Sequence, residues 1–330
     1  MKDTVNKVLR VLLPIVFGGA ILWWMYRGFL WDEVVSALRQ DMHWEWMLLS
    51  MPFGILAQVF RGLRWRQMLD PMDEHPRRIS CIRAVFLSYA SSLVVPRVGE
   101  VLRCGYLSRY EGTRMSRALG TVVTERIVDV VLILMLTLVT VICQVPVFVH
   151  FMGRTGLSME SLLSDFSWAG WLVTVLCALL VLGMAYVLLR RMRVFDRSRQ
   201  VLRDLVDGLL SIRQVRSRSL FGLYSVGIWV SYFLHFYLTF YCFDFTAELG
   251  PIVALVAFVV GTFAVIVPTP NGAGPWHFAV KTVLMLYGVD GNNGAMFVLI
   301  VHSLQTMLVA VLGLLGLIGR PRPSLETRAS

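Results

Sequence analysis

The stretch VVPRVGEVLRCGYL, residues 94–107, sets two arginines and a glutamate behind a proline inside an otherwise apolar run. Pro96 removes a backbone donor and disfavours helix at Val95. Arg97 lies at that break. Glu100 and Arg103 are three apart and share a helix face, while Gly99 lets another backbone approach. A second charged set lies in VVTERIVDVVLIL, where Glu125 and Asp129 are four apart with Arg126 beside them. In VPTPNGAGPWHFAVK, Pro268, Pro270, Gly272 and Gly274 break the chain before His277 and Lys281, which share a face at i, i+4. The helix starting there presents free amides and the positive end of its dipole, a setting that favours an anion such as phosphate. Acids and bases mixed in this way suit a zwitterionic or phosphate-bearing head group. They suit an internal ion-pair core as well, with Arg97, Arg103 and Arg126 as candidate partners of the two acids.

Other chemistries lack their signatures. No metal-ligand spacing, nucleophile elbow or P-loop occurs, so neither a metal nor a cofactor is expected. Gly272 and Gly274 do not make a dinucleotide fingerprint, because no βαβ unit surrounds them. His235 and His302 are single polar residues within apolar runs and read as helix-to-helix hydrogen bonds. The five cysteines form no CxxC pair and read as small core residues.

The elements that must hold these residues follow from composition. Of 330 residues, 57% are hydrophobic and only 16% charged, against about 25% charged in soluble domains. Mean hydropathy is +0.67. The class is an all-α polytopic membrane protein forming a single membrane domain, 1–330. The net charge of +10 does not point to nucleic acid. The basic residues fall in alternate loops, as the positive-inside rule requires. Segments 1–10, 61–83, 97–117, 190–218 and 319–330 are basic; 27–43, 143–167, 244–250 and 288–294 are acidic.

Eight apolar runs appear, at about 8–26, 44–60, 82–95, 118–142, 168–189, 219–243, 251–267 and 295–318. The first carries no cleavage site and reads as a retained span. Both flanks of 82–95 are basic, so this run is expected to enter from the cytoplasm, turn at Pro96 and return. Both flanks of 251–267 are acidic, so a second hairpin is expected to enter from the opposite face. The result is about six full transmembrane helices plus two Pro/Gly-broken re-entrant hairpins, with both termini cytoplasmic in a bacterial-type inner membrane. Residues 44–142 and 219–318 then repeat the order span, hairpin, span with inverted topology, the arrangement that marks a transporter-type site at the midplane. Glu125 lies about 13 Å into its span at 1.5 Å per residue, too deep for a short acid to reach the surface, so it needs a partner. The segment 190–218 holds nine arginines against three aspartates around a helically spaced apolar set. It reads either as a segment lying on the anionic inner leaflet or as a determinant of topology alone. Residues 27–43 read as a short outer interfacial helix.

Taken together, VVPRVGEVLRCGYL, SRALGTVVTERIVDVVLIL and VPTPNGAGPWHFAV resemble the lysylphosphatidylglycerol synthase transmembrane region, the core of a wider flippase-like membrane family. A P-x-x-G-E motif of that family falls on Pro96, Gly99 and Glu100. Its E-R-x-x-D motif falls on Glu125, Arg126 and Asp129, and its P-x-P-G-G-x-G motif on Pro268, Pro270, Gly272 and Gly274. Two positions depart from it: Asn271 stands for a glycine, and His277 where an acid is frequent. The sequence ends at Ser330 without the aminoacyl-transferase domain of the full synthases, so the resemblance implies moving a lipid rather than aminoacylating one. The expected partner is a phospholipid or polyprenyl-linked lipid with an anionic or zwitterionic head group, and no nucleic acid. The cavity candidates are Arg97, Glu100, Arg103, Glu125, Arg126, Asp129, Asn271, His277 and Lys281. Two rival readings are an intramembrane lipid head-group transferase or hydrolase using Glu125, Asp129 and His277, and a non-catalytic membrane partner of a lipid or glycan enzyme.

Overall fold

Long helices in this chain are separated by pairs of short ones. The computed structural model describes residues 16–27, 31–95, 98–155, 215–267 and 269–318. The helices are α1 (Val16–Tyr26), α2 (Trp31–Ser36), α3 (Trp44–Leu69), α4 (Arg78–Ser92), α5 (Val98–Glu111), α6 (Met115–Thr155), α7 (Arg218–Tyr237), α8 (Gly250–Ala264), α9 (Pro275–Leu286) and α10 (Gly291–Leu317). No strand occurs among the described residues. Among the described residues, four helical segments are long and apolar enough to cross a membrane: Trp44–Met72, Met115–Gln144, Arg218–Cys242 and Gly291–Leu317. The expected span at 168–189, most of 190–218 and both termini lie outside the described residues. So do Pro96, Arg97 and Pro268. The chain divides into two compact units, Met1–Thr140 with Leu205–Ser330, and Val141–Asp204. In the second unit only the C-terminal part of α6 is described; every other helix belongs to the first.

The order long, short, break, short, long occurs twice, as α3–α6 and as α7–α10. α4 and α5 have 15 and 14 residues, and α8 and α9 have 15 and 12. At 1.5 Å per residue these run about 18–23 Å, short of the roughly 30 Å hydrocarbon core. Each short pair packs against itself, and a glycine permits the approach. A Cβ on Gly99 would lie 1.9 Å from the Ser88 carbonyl oxygen, and one on Gly261 would lie 2.8 Å from Trp276 Nε1.

Two apolar cores form among these helices. The first gathers Trp65, Leu69, Cys81, Val85, Cys104 and Leu107. The second is aromatic: Phe297 meets Phe236, Phe240 and Phe243 edge-on at ring centroids 5.3–6.5 Å apart, the preferred geometry of aromatic quadrupoles. Helices α3 and α7 pack together and join the α3–α6 and α7–α10 sets. Gly54 of α3 faces the His235 ring of α7, and Gly227 of α7 faces the Phe60 ring of α3, so small residues admit large ones reciprocally. His235 Nδ1 bonds the Ser50 carbonyl at 2.8 Å, the helix-to-helix hydrogen bond expected of it. A second junction forms where Gly313 of α10 meets Ala90 of α4.

One boundary differs from expectation. The apolar run 44–60 continues as helix to Leu69 instead of ending in a loop at residue 61. Arg61 and Arg64 therefore ride on a spanning helix, both buried. Their charge is tolerated there because carboxylates on α6 meet them.

Candidate functional site

Helix spacing builds the first polar site from three elements. On α3, Gln58, Arg61 and Trp65 recur at three and four residues and face inward with Arg64. On α5, Arg103 falls on the buried face with Cys104 and Leu107. On α6, Glu125 and Asp129 lie one turn apart and both are buried. Arg61 Nη1 donates to Glu125 Oε1 and, at 2.7 Å, to Asp129 Oδ2. Arg64 Nη2 donates to Asp129 Oδ1 at 2.7 Å and lies 3.7 Å from Glu125 Oε1. Arg103 Nη1 donates to Glu125 Oε2 at 3.0 Å, and its guanidinium stacks 4.6 Å from the Trp65 ring centroid. Trp65 Nε1 in turn donates to Thr121 Oγ1 at 2.9 Å. Arg126 reaches Glu125 at 3.3 Å and Asp129 at 3.5 Å, and its Nε lies 2.8 Å from Glu100 Oε1. Glu100 and Arg126 form the open edge, with side chains 37% and 42% exposed, whereas Glu125 is fully enclosed.

Four guanidiniums thus face three carboxylates, leaving one surplus positive charge. Several donors also remain unused: Nε of Arg61, Arg64 and Arg103 and Nη2 of Arg103 have no hydrogen-bond partner. Buried donors without acceptors are costly, about 1–3 kcal/mol each. A region that is net positive and rich in spare N–H groups has the chemistry of an anion receptor.

The second site is built on the break before α9. Pro270–Gly272 forms a tight turn in which Asn271 has φ +51° and Gly272 and Gly274 have φ +73° and +90°. Asn is the non-glycine residue most at ease there, which is why it can replace a motif glycine. Gly274 is needed for a second reason: a Cβ on it would lie 2.8 Å from the Gly18 carbonyl oxygen of α1. Asn271 Nδ2 donates to Thr306 Oγ1 at 2.7 Å, Thr306 faces His302 Nδ1 at 3.5 Å, and His302 Nε2 bonds the Asn271 carbonyl at 3.1 Å. Because the Asn271 carbonyl can only accept, His302 carries a hydrogen on Nε2 in this closed ring. His277 lies against His302, tilted 58° with ring centroids 4.4 Å apart, and accepts from the Gly274 amide at 3.4 Å. The group lines a cavity of about 690 Å³ with Trp23, Tyr26, Arg27 and Leu93.

The expected residues therefore fall into two groups. Glu100, Arg103, Glu125, Arg126 and Asp129 share the ionic site; Asn271 and His277 share the other. Arg97 lies outside the described residues. Lys281, expected beside His277, lines a separate groove with Trp24 and Phe278. Glu100 and Arg103 do not pair with each other; each bonds to α6. Sequence reasoning missed Arg61 and Arg64, although their i, i+3 spacing on a run begun by Gly54 and Gln58 carried the signal. It also set aside His302, whose partners lie some 30 residues away. Among the described residues, His, Cys, Asp and Glu nowhere gather in a group of three that would hold a metal ion.

Comparison with known proteins agrees with this architecture. Neither a curated protein nor a solved structure matches the chain. A family model described as the lysylphosphatidylglycerol synthase TM region matches residues 11–313, and this multi-pass membrane chain belongs to that family.

Proposed function

We propose that the chain binds a lipid with an anionic or zwitterionic head group, a phospholipid or polyprenyl-linked lipid, and moves it between leaflets without altering it. The carrying observation is the ionic site: four buried or half-buried guanidiniums against three carboxylates, with unused Nε and Nη2 donors. Intramembrane charge is costly and persists where it serves a pathway or a site. A phosphate entering at the Glu100–Arg126 edge would take up the surplus charge and the spare donors together. In this reading α4–α5 and α8–α9 are re-entrant hairpins entering from opposite faces, and α3–α6 and α7–α10 are inverted halves that exchange access. Both termini are then cytoplasmic in an inner membrane.

Purified protein in liposomes containing fluorescent phosphatidylglycerol provides the test. Transport exposes the inner-leaflet label to a membrane-impermeant quencher. Label that stays protected, both without gradients and under pH or ion gradients, would sink the reading. Altered head groups in lipid extracts after expression would instead favour an intramembrane enzyme. Cysteine accessibility at the two ends of each short helix pair tests the hairpins, since both ends must label from one face.

A further inference from the structure

One face of α10 carries Leu299, His302, Thr306, Ala310, Gly313 and Leu317, spaced by three or four residues. That spacing makes a single stripe. The first three line the 690 Å³ cavity beside the 270–274 turn. The last three line a second cavity, of about 710 Å³. Leu93, at the turn that ends α4, lines both. The two cavities therefore meet at Leu93 along one helix. From Leu299 to Leu317 the stripe runs about 27 Å at 1.5 Å per residue, close to the roughly 30 Å of a bilayer's hydrocarbon core.

The chemistry along the stripe is graded. At one end lie hydroxyl, amide and imidazole groups, with exposed Arg27 at the rim. At the other the walls are almost wholly apolar, with exposed Arg109 at the rim. Each cavity falls within the roughly 300–1,000 Å³ of sites that hold a small organic ligand. An apolar groove ending in a guanidinium matches an acyl chain ending in a phosphate.

We propose that these two cavities form one binding track for an anionic glycerophospholipid, with Arg27 and Arg109 as phosphate contacts at its ends and Leu93 as the partition between them. The track is distinct from the ionic site, which shares none of its lining residues. It deepens the transport reading and rests on it only for the direction of movement, not for binding.

A phosphatidylglycerol carrying a photoactivatable diazirine on one acyl chain tests the track. The full-length protein is placed in phosphatidylcholine nanodiscs with this probe or with the matched phosphatidylcholine probe, and cross-linked residues are mapped by mass spectrometry. One basic residue near a membrane surface contributes about 1 kcal/mol to anionic-lipid binding, so the phosphatidylglycerol probe should label the stripe about fivefold more than its zwitterionic match. Arg109→Gln should abolish that excess over residues 310–317 and leave it over 299–306; Arg27→Gln should do the reverse. Both are rim substitutions that leave the core packing intact. Equal labelling by the two probes, or labelling confined to the outward-facing Met307 and Val311, overturns the track. If scrambling proceeds without the preference, the track falls and the transport reading stands. If the preference persists without scrambling, the transport reading falls and the track stands.

Discussion

The two helix sets, α3–α6 and α7–α10, hold their polar groups with opposite materials. The first set uses full charges and pairs the enclosed ones with one another. Arg61, Arg64 and Arg103 are each at most 3% exposed and meet Glu125 or Asp129. The second uses neutral groups, with contacts of 2.7–3.5 Å among Asn271, His302 and Thr306, and leaves open space beside them. The physics of a low-dielectric interior explains the division. A buried ion needs its counterion at once, so the enclosed charges pair across helices and help select the helix partners, and only the Glu100–Arg126 edge stays open. A neutral hydrogen-bonded ring carries no such demand and tolerates a cavity.

The largest effect should therefore come from the ionic site. Glu125→Gln removes the carboxylate that Arg61, Arg103 and Arg126 all approach. Removing one partner of a buried pair costs about 3–5 kcal/mol. A large fall in the thermal unfolding midpoint of the detergent-solubilised protein is expected. A midpoint within a degree or two of wild type would mean that the guanidiniums find water or lipid in its place, and the contrast between the two helix sets would collapse.

The glycine crossings come next. Gly99→Ala drives a methyl into the Ser88 carbonyl, whereas Gly261→Ala meets the end of the Trp276 side chain. Overpacking costs about 1–3 kcal/mol. The first substitution should sit at the top of that range, since backbone must move, and the second at the bottom. Thermal scans of the two variants side by side decide it, and the reverse order would show that the α4–α5 pair is the more yielding one.

Smaller still is His302→Leu. It breaks the ring to Asn271 and Thr306, but those groups border a cavity where water can replace the imidazole, so about 1 kcal/mol is expected. Lipid labelling over 299–306 should fall by more than stability does. Equal loss of both would make the second site purely structural.

These contrasts also show what was readable from the residue order. The two breaks were visible as Val-Pro steps at 95 and 267, because proline's missing donor acts locally. Glu125 and Asp129 announced a need for partners by their depth. Which partners they take was hidden, because α3 and α6 are some 60 residues apart and apolar periodicity says nothing about pairing. Counting Arg61 and Arg64 as loop charge followed from treating charge as a boundary; in α3 the helix runs through them because α6 supplies the counterions. His302 was hidden for the same reason, its significance lying in contacts with the turn at 270–274. Lys281 shows the converse. An i, i+4 spacing puts His277 and Lys281 on one side of α9, yet each lines a different cavity there.

The smallest effect tests the comparison at its rim. Asp290 caps α10, accepting from the Asn292 and Asn293 amides at 2.8 and 3.4 Å. These donors hold its carboxyl below the ordinary aspartate value. A carboxyl depressed on folding contributes stability above its unfolded value and loses it as pH falls through its folded one. Asp290→Ala should therefore lower the unfolding midpoint slightly at neutral pH, and the difference from wild type should vanish in acid below the ordinary aspartate range. A difference that is constant with pH would assign the effect to the lost side chain's packing and not to its charge. An acid in water at the end of α10 and an acid enclosed in the middle of α6 are chemically alike. The prediction is that solvent alone makes the first nearly dispensable and its absence makes the second indispensable.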